Sequence, residues 1–197
     1  IVLGLLLAAS ALVTANFAGQ DLRFGNLSFF FLGAGFMLVE TKAITEMGLT
    51  FGNTWQVVGI VIVGVLTMAY LANLYVSRVG VRRPTIPFFL LLGAIALGWA
   101  VSNAGGLPTT PLGKIGTVAV LTVPMLFSGL VFSSLLKKAE NVSGVMAINM
   151  LGAMLGGVLE YNSMYFGFRF LYVLAAAIYL AAMVCAWLAG RNARPSP

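Results

Sequence analysis

The chain has 197 residues, of which 60% are hydrophobic and only 8% are charged, and its formal net charge is +6. Soluble domains are about 45–50% apolar and about 25% charged, so this composition excludes a soluble globular domain, a disordered chain and a nucleic-acid-binding protein. Histidine is absent and Cys185 is the single cysteine. These counts exclude histidine-ligated haem, pigment or metal and an internal disulfide within this chain, and no other cofactor is evident.

Seven apolar segments follow one another along the chain. A span needs about 20 apolar residues and must satisfy its own backbone hydrogen bonds, which favours helices over strands. The sequence therefore predicts an all-α, polytopic transmembrane helix bundle of about seven spans, a single transmembrane domain over residues 1–197 with no soluble domain. The segments cover approximately Ile1–Ala18, Leu27–Met47, Thr54–Val76, Ile86–Val101, Ile115–Leu136, Gly144–Leu159 and Phe168–Leu188.

The basic residues predict an orientation. With seven spans, eight of the 11 basic residues fall on one side of the membrane and only Lys114 and Arg169 on the other. The positive-inside rule places the eight-residue side in the cytoplasm. We therefore expect a bacterial inner-membrane protein with its N-terminus outside and its C-terminus inside. The cytoplasmic set is Arg23, Arg78, Arg82, Arg83, Lys137, Lys138, Arg191 and Arg194.

The second apolar segment carries three charges, Glu40, Lys42 and Glu46. A charge near mid-membrane costs about 2.5–3.5 kcal/mol on insertion scales, so these groups must face protein or water. Lys42 and Glu46 are four positions apart and share a helix face, which predicts an ion pair. Glu40 lies about 200° around the helix from Lys42 and needs another partner. One hypothesis is that they form a polar staple, by which we mean a buried polar contact that holds two helices together. The other is an ion, proton or headgroup site.

The sixth segment is rich in small residues. Asn149, Gly152, Gly156 and Glu160 share one helical face, and Gly157 belongs to a second small-residue pair. Small residues at this spacing let two membrane helices approach closely. Packing is the favoured interpretation, and a groove for a lipid tail or ligand is the alternative. The glycines of the second segment are also interpreted as helix-packing residues. The predicted packing set is therefore Gly33, Gly35, Gly152, Gly156 and Gly157.

Segments two and six run in the same direction in this topology. Their acidic residues then approach the outer half of the membrane, where Arg169 opens the seventh segment. Lateral contact between these groups is not inferred, but we expect them to converge at one depth as a candidate intramembrane polar cluster. Its candidate members are Glu40, Lys42, Glu46, Asn149, Glu160 and Arg169.

Two stretches carry a family resemblance. Phe31–Glu40, with Phe51–Trp55 downstream, and Asn149–Glu160, with Gly167–Arg169 downstream, resemble the membrane portion of large bacterial spermidine synthase-like proteins. Those proteins join a transferase-like domain to multi-spanning blocks. The polyamine and S-adenosyl-methionine sites of the family belong to its soluble domain, so the resemblance implies no catalytic residue here. It marks only four positions, Glu40, Asn149, Glu160 and Arg169.

Three functions are compatible with these patterns. The first is a non-catalytic membrane module, an accessory or scaffold subunit whose partners are the lipid bilayer and other membrane subunits. The second is a transporter or lipid-binding protein with a polar site in the outer half of the membrane. The third is the membrane half of a spermidine synthase-like transferase. The sequence offers no catalytic constellation, which leaves enzymatic activity open.

The orientation is testable by cysteine accessibility. In a Cys185→Ala background, we expect Lys114→Cys to react with an impermeant maleimide added outside the cell. Arg82→Cys should react only after the membrane is opened, because it lies on the predicted cytoplasmic side. Labelling of Lys114→Cys only from the cytoplasm would reverse the topology.

Overall fold

The computed structural model describes residues 24–52, 54–81, 85–105 and 110–192. The predicted all-α membrane bundle is confirmed, because six helices of this part of the chain are long and apolar enough to cross a membrane. The first predicted segment, Ile1–Ala18, lies outside the described residues. The helices are α1 (Phe24–Phe51), α2 (Trp55–Arg78), α3 (Thr85–Asn103), α4 (Pro111–Leu136), α5 (Val142–Glu160), the single turn α6 (Ser163–Phe166) and α7 (Phe170–Asn192).

Helix α1 is the most buried of the six spans, and α4, α5 and α7 pack around it. Helix α2 packs mainly on α4, and α3 packs on α4 and α7. The described spans alternate in direction, so α2, α4 and α7 finish at one end of the bundle. We call it the basic end, because it holds Arg78, Lys137, Lys138 and Arg191. The other end, where α1, α3 and α5 finish, is called the opposite end.

The closest helix contact joins α1 to α5. A Cβ atom added at Gly152 would collide with the backbone oxygen of Phe30, and one added at Gly156 would collide with that of Ala34. From the first contact to the second, the residue number increases by four on both helices, so α1 and α5 run parallel. Gly33 lies equally close to the backbone of Asn149. Backbones that touch in this way exclude any side chain at these glycines and allow extensive dispersion contact.

Helix α7 approaches the other side of α1. A Cβ atom at Gly35 would lie 2.8 Å from the ring of Tyr179, which is fully buried. The Tyr179 hydroxyl donates a 2.9 Å hydrogen bond to Ser128 of α4, so one side chain joins three helices. Near the opposite end, Gly98 of α3 leaves room for the Tyr172 ring at 3.0 Å. Glycine therefore admits an aromatic ring at two levels of the α7 contact.

One predicted packing residue faces elsewhere. No atom lies within 4 Å of a Cβ built at Gly157, so this glycine is not at a helix contact in the described bundle. Among the described residues Gly157 meets no neighbour, because its small-residue pair lies one position, about 100°, around α5 from the pair that meets α1. Only one of two small faces can be turned toward a single neighbour.

The glycine contact predicts a difference between adjacent positions. Gly156→Leu should destabilise the protein by about 2–5 kcal/mol or prevent assembly, because its side chain would enter the α1 backbone. Gly157→Leu adds the same atoms to open space and should melt at or above the parent temperature, since leucine has the higher helix propensity. Thermal unfolding in detergent measures both variants. Equal melting of the two would show that α5 does not contact α1 through Gly156.

Candidate functional site

The charged residues of α1 meet a tyrosine of α7. The Lys42 Nζ atom lies 2.8 Å from Glu46 Oε2. The Tyr172 hydroxyl donates a 2.8 Å hydrogen bond to the same carboxylate oxygen. The Lys42 ammonium also lies 4.8 Å from the centroid of the Tyr172 ring. We call these three residues the Lys42–Glu46–Tyr172 triad.

The triad is largely withdrawn from the protein surface. The side chains of Lys42 and Glu46 are 6% and 21% exposed. Burying a charge pair carries a large desolvation cost, which good geometry and extra hydrogen bonds offset. Here the carboxylate receives a phenol hydrogen bond, and the ammonium lies over an aromatic face. The pair is thus neutral as a unit and joins α1 to α7.

Local spacing along α1 and α7 explains how the side chains of the triad meet. Lys42 and Glu46 are one turn apart on α1, which brings their side chains together without tertiary help. Tyr172 stands in the first turn of α7, and Tyr179 follows seven positions later on the same face. Both tyrosines are buried, at 5% and 0% exposure. An antiparallel α7 therefore presents Tyr172 to α1 near Glu46 and Tyr179 to α1 near Gly35.

A cavity of about 270 Å³ adjoins the triad near the opposite end of the bundle. Glu46 and Tyr172 line it together with two threonines, Thr50 and Thr117. Both threonine hydroxyls donate to backbone oxygens of their own helices, to Glu46 and Gly113 respectively. The cavity therefore offers mainly oxygen acceptors, and its carboxylate is already shared with Lys42.

The remaining predicted residues do not join the triad in one cluster. Arg169 donates a 3.3 Å hydrogen bond from Nη1 to Asn103 at the end of α3. Asn149 lies beside Gly33, nearer the basic end than Glu46. The sequence left lateral contact among these groups open, because a shared direction along the chain does not determine which helices are neighbours. Asn149 is three turns from Glu160 along α5.

The two other acids lie on the α1–α5 contact. Glu160 follows Gly156 by one turn, and parallel packing puts it near the depth of Glu40. Both carboxylates are half-buried. In the described part of the chain, neither forms a salt bridge or a side-chain hydrogen bond. Glu40 is thus separate from the triad, as its angle around α1 predicts.

Sequence reasoning missed Tyr172, Thr117 and Asn103. Their signals are weak, because tyrosine and threonine are common in membrane helices and Asn103 ends its helix. The seven-residue spacing of Tyr172 and Tyr179 was the one usable sign, since it places both phenols on one face. Among the described residues, no group of three or more Cys, Asp or Glu side chains could hold a metal ion. Comparison with family models, curated proteins and solved structures finds no match for the chain.

The triad predicts strong coupling between its members. Glu46→Gln alone should destabilise the protein by about 3–5 kcal/mol, because it leaves the Lys42 ammonium buried and unpaired. The double variant Lys42→Met/Glu46→Gln should be more stable than Glu46→Gln alone. Tyr172→Phe keeps the ring and should cost only about 1–3 kcal/mol, the value of one hydrogen bond to a charged group.

A double-mutant cycle on thermal unfolding measures this coupling, with Tyr75→Phe, 51% exposed on α2, as the control. Additive effects of the Lys42 and Glu46 substitutions would show that each charge has a separate partner or reaches water. That result would favour a binding site over a staple.

Proposed function

We propose that this chain is a non-catalytic integral membrane module, an accessory or scaffold subunit of a larger membrane assembly. The Lys42–Glu46–Tyr172 triad carries the proposal. A transport or catalytic site keeps a charge available for its substrate, whereas here the buried ammonium and carboxylate neutralise each other and a phenol donates to the pair. Such a triad stabilises the position of α7 against α1, which is the task of a structural module.

The exposed face of α2 supports the assembly part of the proposal. Val63, Leu66 and Tyr70 project from this face and are 64%, 63% and 65% exposed. The Cα atom of Tyr70 lies about 12 Å inside the basic end of α2, at 1.5 Å per residue from Arg78. The Tyr70 hydroxyl has no hydrogen-bond partner in the described part of the chain. A phenol at this depth favours contact with another protein helix over lipid tails.

The proposed orientation follows the charges. The basic end faces the cytoplasm of a bacterial inner membrane, and the triad lies toward the outer half. The described bundle supplies Arg78, Lys137, Lys138 and Arg191 to the basic end. Arg191 packs its guanidinium over Trp187, 4.6 Å from the ring centroid, as expected for a pair at a membrane interface.

A second function, transport or binding of a small ligand, is favoured by the cavity beside Glu46. Its acceptor-rich lining suits a hydrogen-bond donor. This function requires Glu46 to exchange Lys42 or Tyr172 for a ligand. It therefore predicts that Glu46→Gln impairs ligand handling while leaving the fold stable, the reverse of the result expected for a staple.

The scaffold proposal is testable by photocrosslinking in native membranes. A benzophenone amino acid at Tyr70 should give one discrete heavier product, whereas the same group at Leu97 of α3, also exposed to lipid at 55%, should give none. The captured protein should be the one that co-purifies in mild detergent, and Tyr70→Leu should weaken that co-purification. A chain that crosslinks equally from both positions, or migrates alone in mild detergent, would contradict the proposal.

A further inference from the structure

A second cavity lies between α1, α2, α4 and α5, on the basic half of the bundle. Its volume is about 320 Å³, within the range of small-ligand pockets. Helices α1 and α4 contact each other beneath it, and α2 and α5 supply its two sides. We call it the amide groove, because Asn73 of α2 and Asn149 of α5 both line it.

The amide groove contains polar groups that the described bundle does not satisfy. Asn73 and Asn149 form no side-chain hydrogen bond with any described residue, and neither does the Ser133 hydroxyl. The Oδ1 atom of Asn149 lies 2.9 Å from the position of a Cβ built on Gly33, which places this amide beside α1. Ser128, also in the lining, already accepts from Tyr179.

In the described bundle Asn73 is exposed and Asn149 is half-buried, so the cost of their unpaired amides depends on their depth in the membrane. Asn149 lies seven residues from the start of α5 and Asn73 five from the end of α2, which places both about 7–10 Å inside the helix ends. An amide that leaves water without a hydrogen bond loses several kcal/mol, about 2–7 depending on the reference state. An acyl tail alone in the groove would leave that cost in place.

The chemistry of the lining limits the occupant. No charged side chain lines the amide groove, which disfavours an ionic headgroup. The unpaired groups are two carboxamides, which donate through Nδ2 and accept through Oδ1, and one hydroxyl, which both donates and accepts. The other lining residues are mostly apolar, among them Leu32, Phe36 and Leu136. An uncharged molecule with carbonyl oxygens on an apolar body matches both the polar and the apolar residues of the lining.

We propose that the amide groove binds an uncharged, carbonyl-bearing lipophile, whose oxygens accept hydrogen bonds from Asn73 and Asn149. Two sources share this chemistry. A quinone ring presents two carbonyl oxygens on an isoprenoid chain, and a glyceride presents ester carbonyls between acyl chains. The site is distinct from the triad and does not depend on the scaffold function.

Binding of two probes to the purified protein in detergent tests the proposal. The probes are decylubiquinone and dioleoylglycerol, and native mass spectrometry counts the molecules bound. We expect one probe to bind the parent protein at a ratio of one to one. Asn73→Leu/Asn149→Ala removes the donors, and Ala153→Phe fills the groove while keeping the amides. Each variant should weaken binding by about tenfold or more, equivalent to the loss of one or two hydrogen bonds.

The control is Thr67→Val on α2, whose hydroxyl already donates to Val63 at 2.7 Å and whose side chain is exposed. It should bind like the parent, and melting temperatures check that every variant is folded. Binding of decylubiquinone alone assigns a quinone-type ring, and binding of dioleoylglycerol alone assigns an ester. Failure of both probes to bind the parent, or binding that survives either groove variant, would overturn the proposal.

Discussion

The bundle depends on how closely α5 and α7 approach α1. Glycines at this surface bring the backbone of α5 against α1 at Gly152 and Gly156, and Gly35 of α1 leaves room for the Tyr179 ring of α7. Lipid tails are as apolar as leucine, so burial alone gives membrane helices little reason to associate. Close contact supplies the dispersion energy that burial does not. It also fixes the rotation of α1, and with it the direction in which every α1 side chain points.

That fixed rotation explains how α1 tolerates its charges. Lys42 and Glu46 face α7, where Tyr172 completes the triad, and Glu40 lies on the side nearer α5. The same rotation places Gly33 against Asn149 and so builds one wall of the amide groove. The polar groups of the bundle are therefore separated by depth. Lys42, Glu46 and Tyr172 satisfy one another toward the opposite end, whereas the neutral amides of the groove lie unpaired toward the basic end.

The sequence was sufficient for the features set by local spacing. It predicted the helical membrane bundle, because apolar runs of span length have one structural solution. It also predicted the Lys42–Glu46 pair, since residues four apart on a helix meet without tertiary help. Six of the predicted segments correspond to spans of the described chain, with ends that differ by a few residues.

The sequence did not predict which helices lie side by side or which of their faces meet. Helical periodicity showed two small faces on α5 but not which one meets a neighbour, and Gly157 meets none among the described residues. Shared direction indicated that α1 and α5 are parallel, but it gave neither their vertical offset nor the partner of Arg169, which is Asn103. Tyr172 belongs to a helix more than 120 residues after its partner Glu46, and no local pattern records that contact.

Disulfide crosslinking tests the close parallel contact of α1 and α5 most directly. In a Cys185→Ala background, Met37→Cys should pair with Glu160→Cys, which lies one turn beyond Gly156 on the same face of α5 and leaves the glycine contact intact. The Met37 Cβ lies 2.9 Å from the position of a Gly156 Cβ. Cysteines link when their Cβ atoms lie about 3.5–4.5 Å apart, so only residues on touching faces crosslink rapidly. Met37→Cys with Tyr161→Cys, about 100° further around the chain, is the matched control. The account predicts rapid crosslinking of the first pair in native membranes and little of the second; preferential crosslinking through position 161, or none at 160, would contradict it.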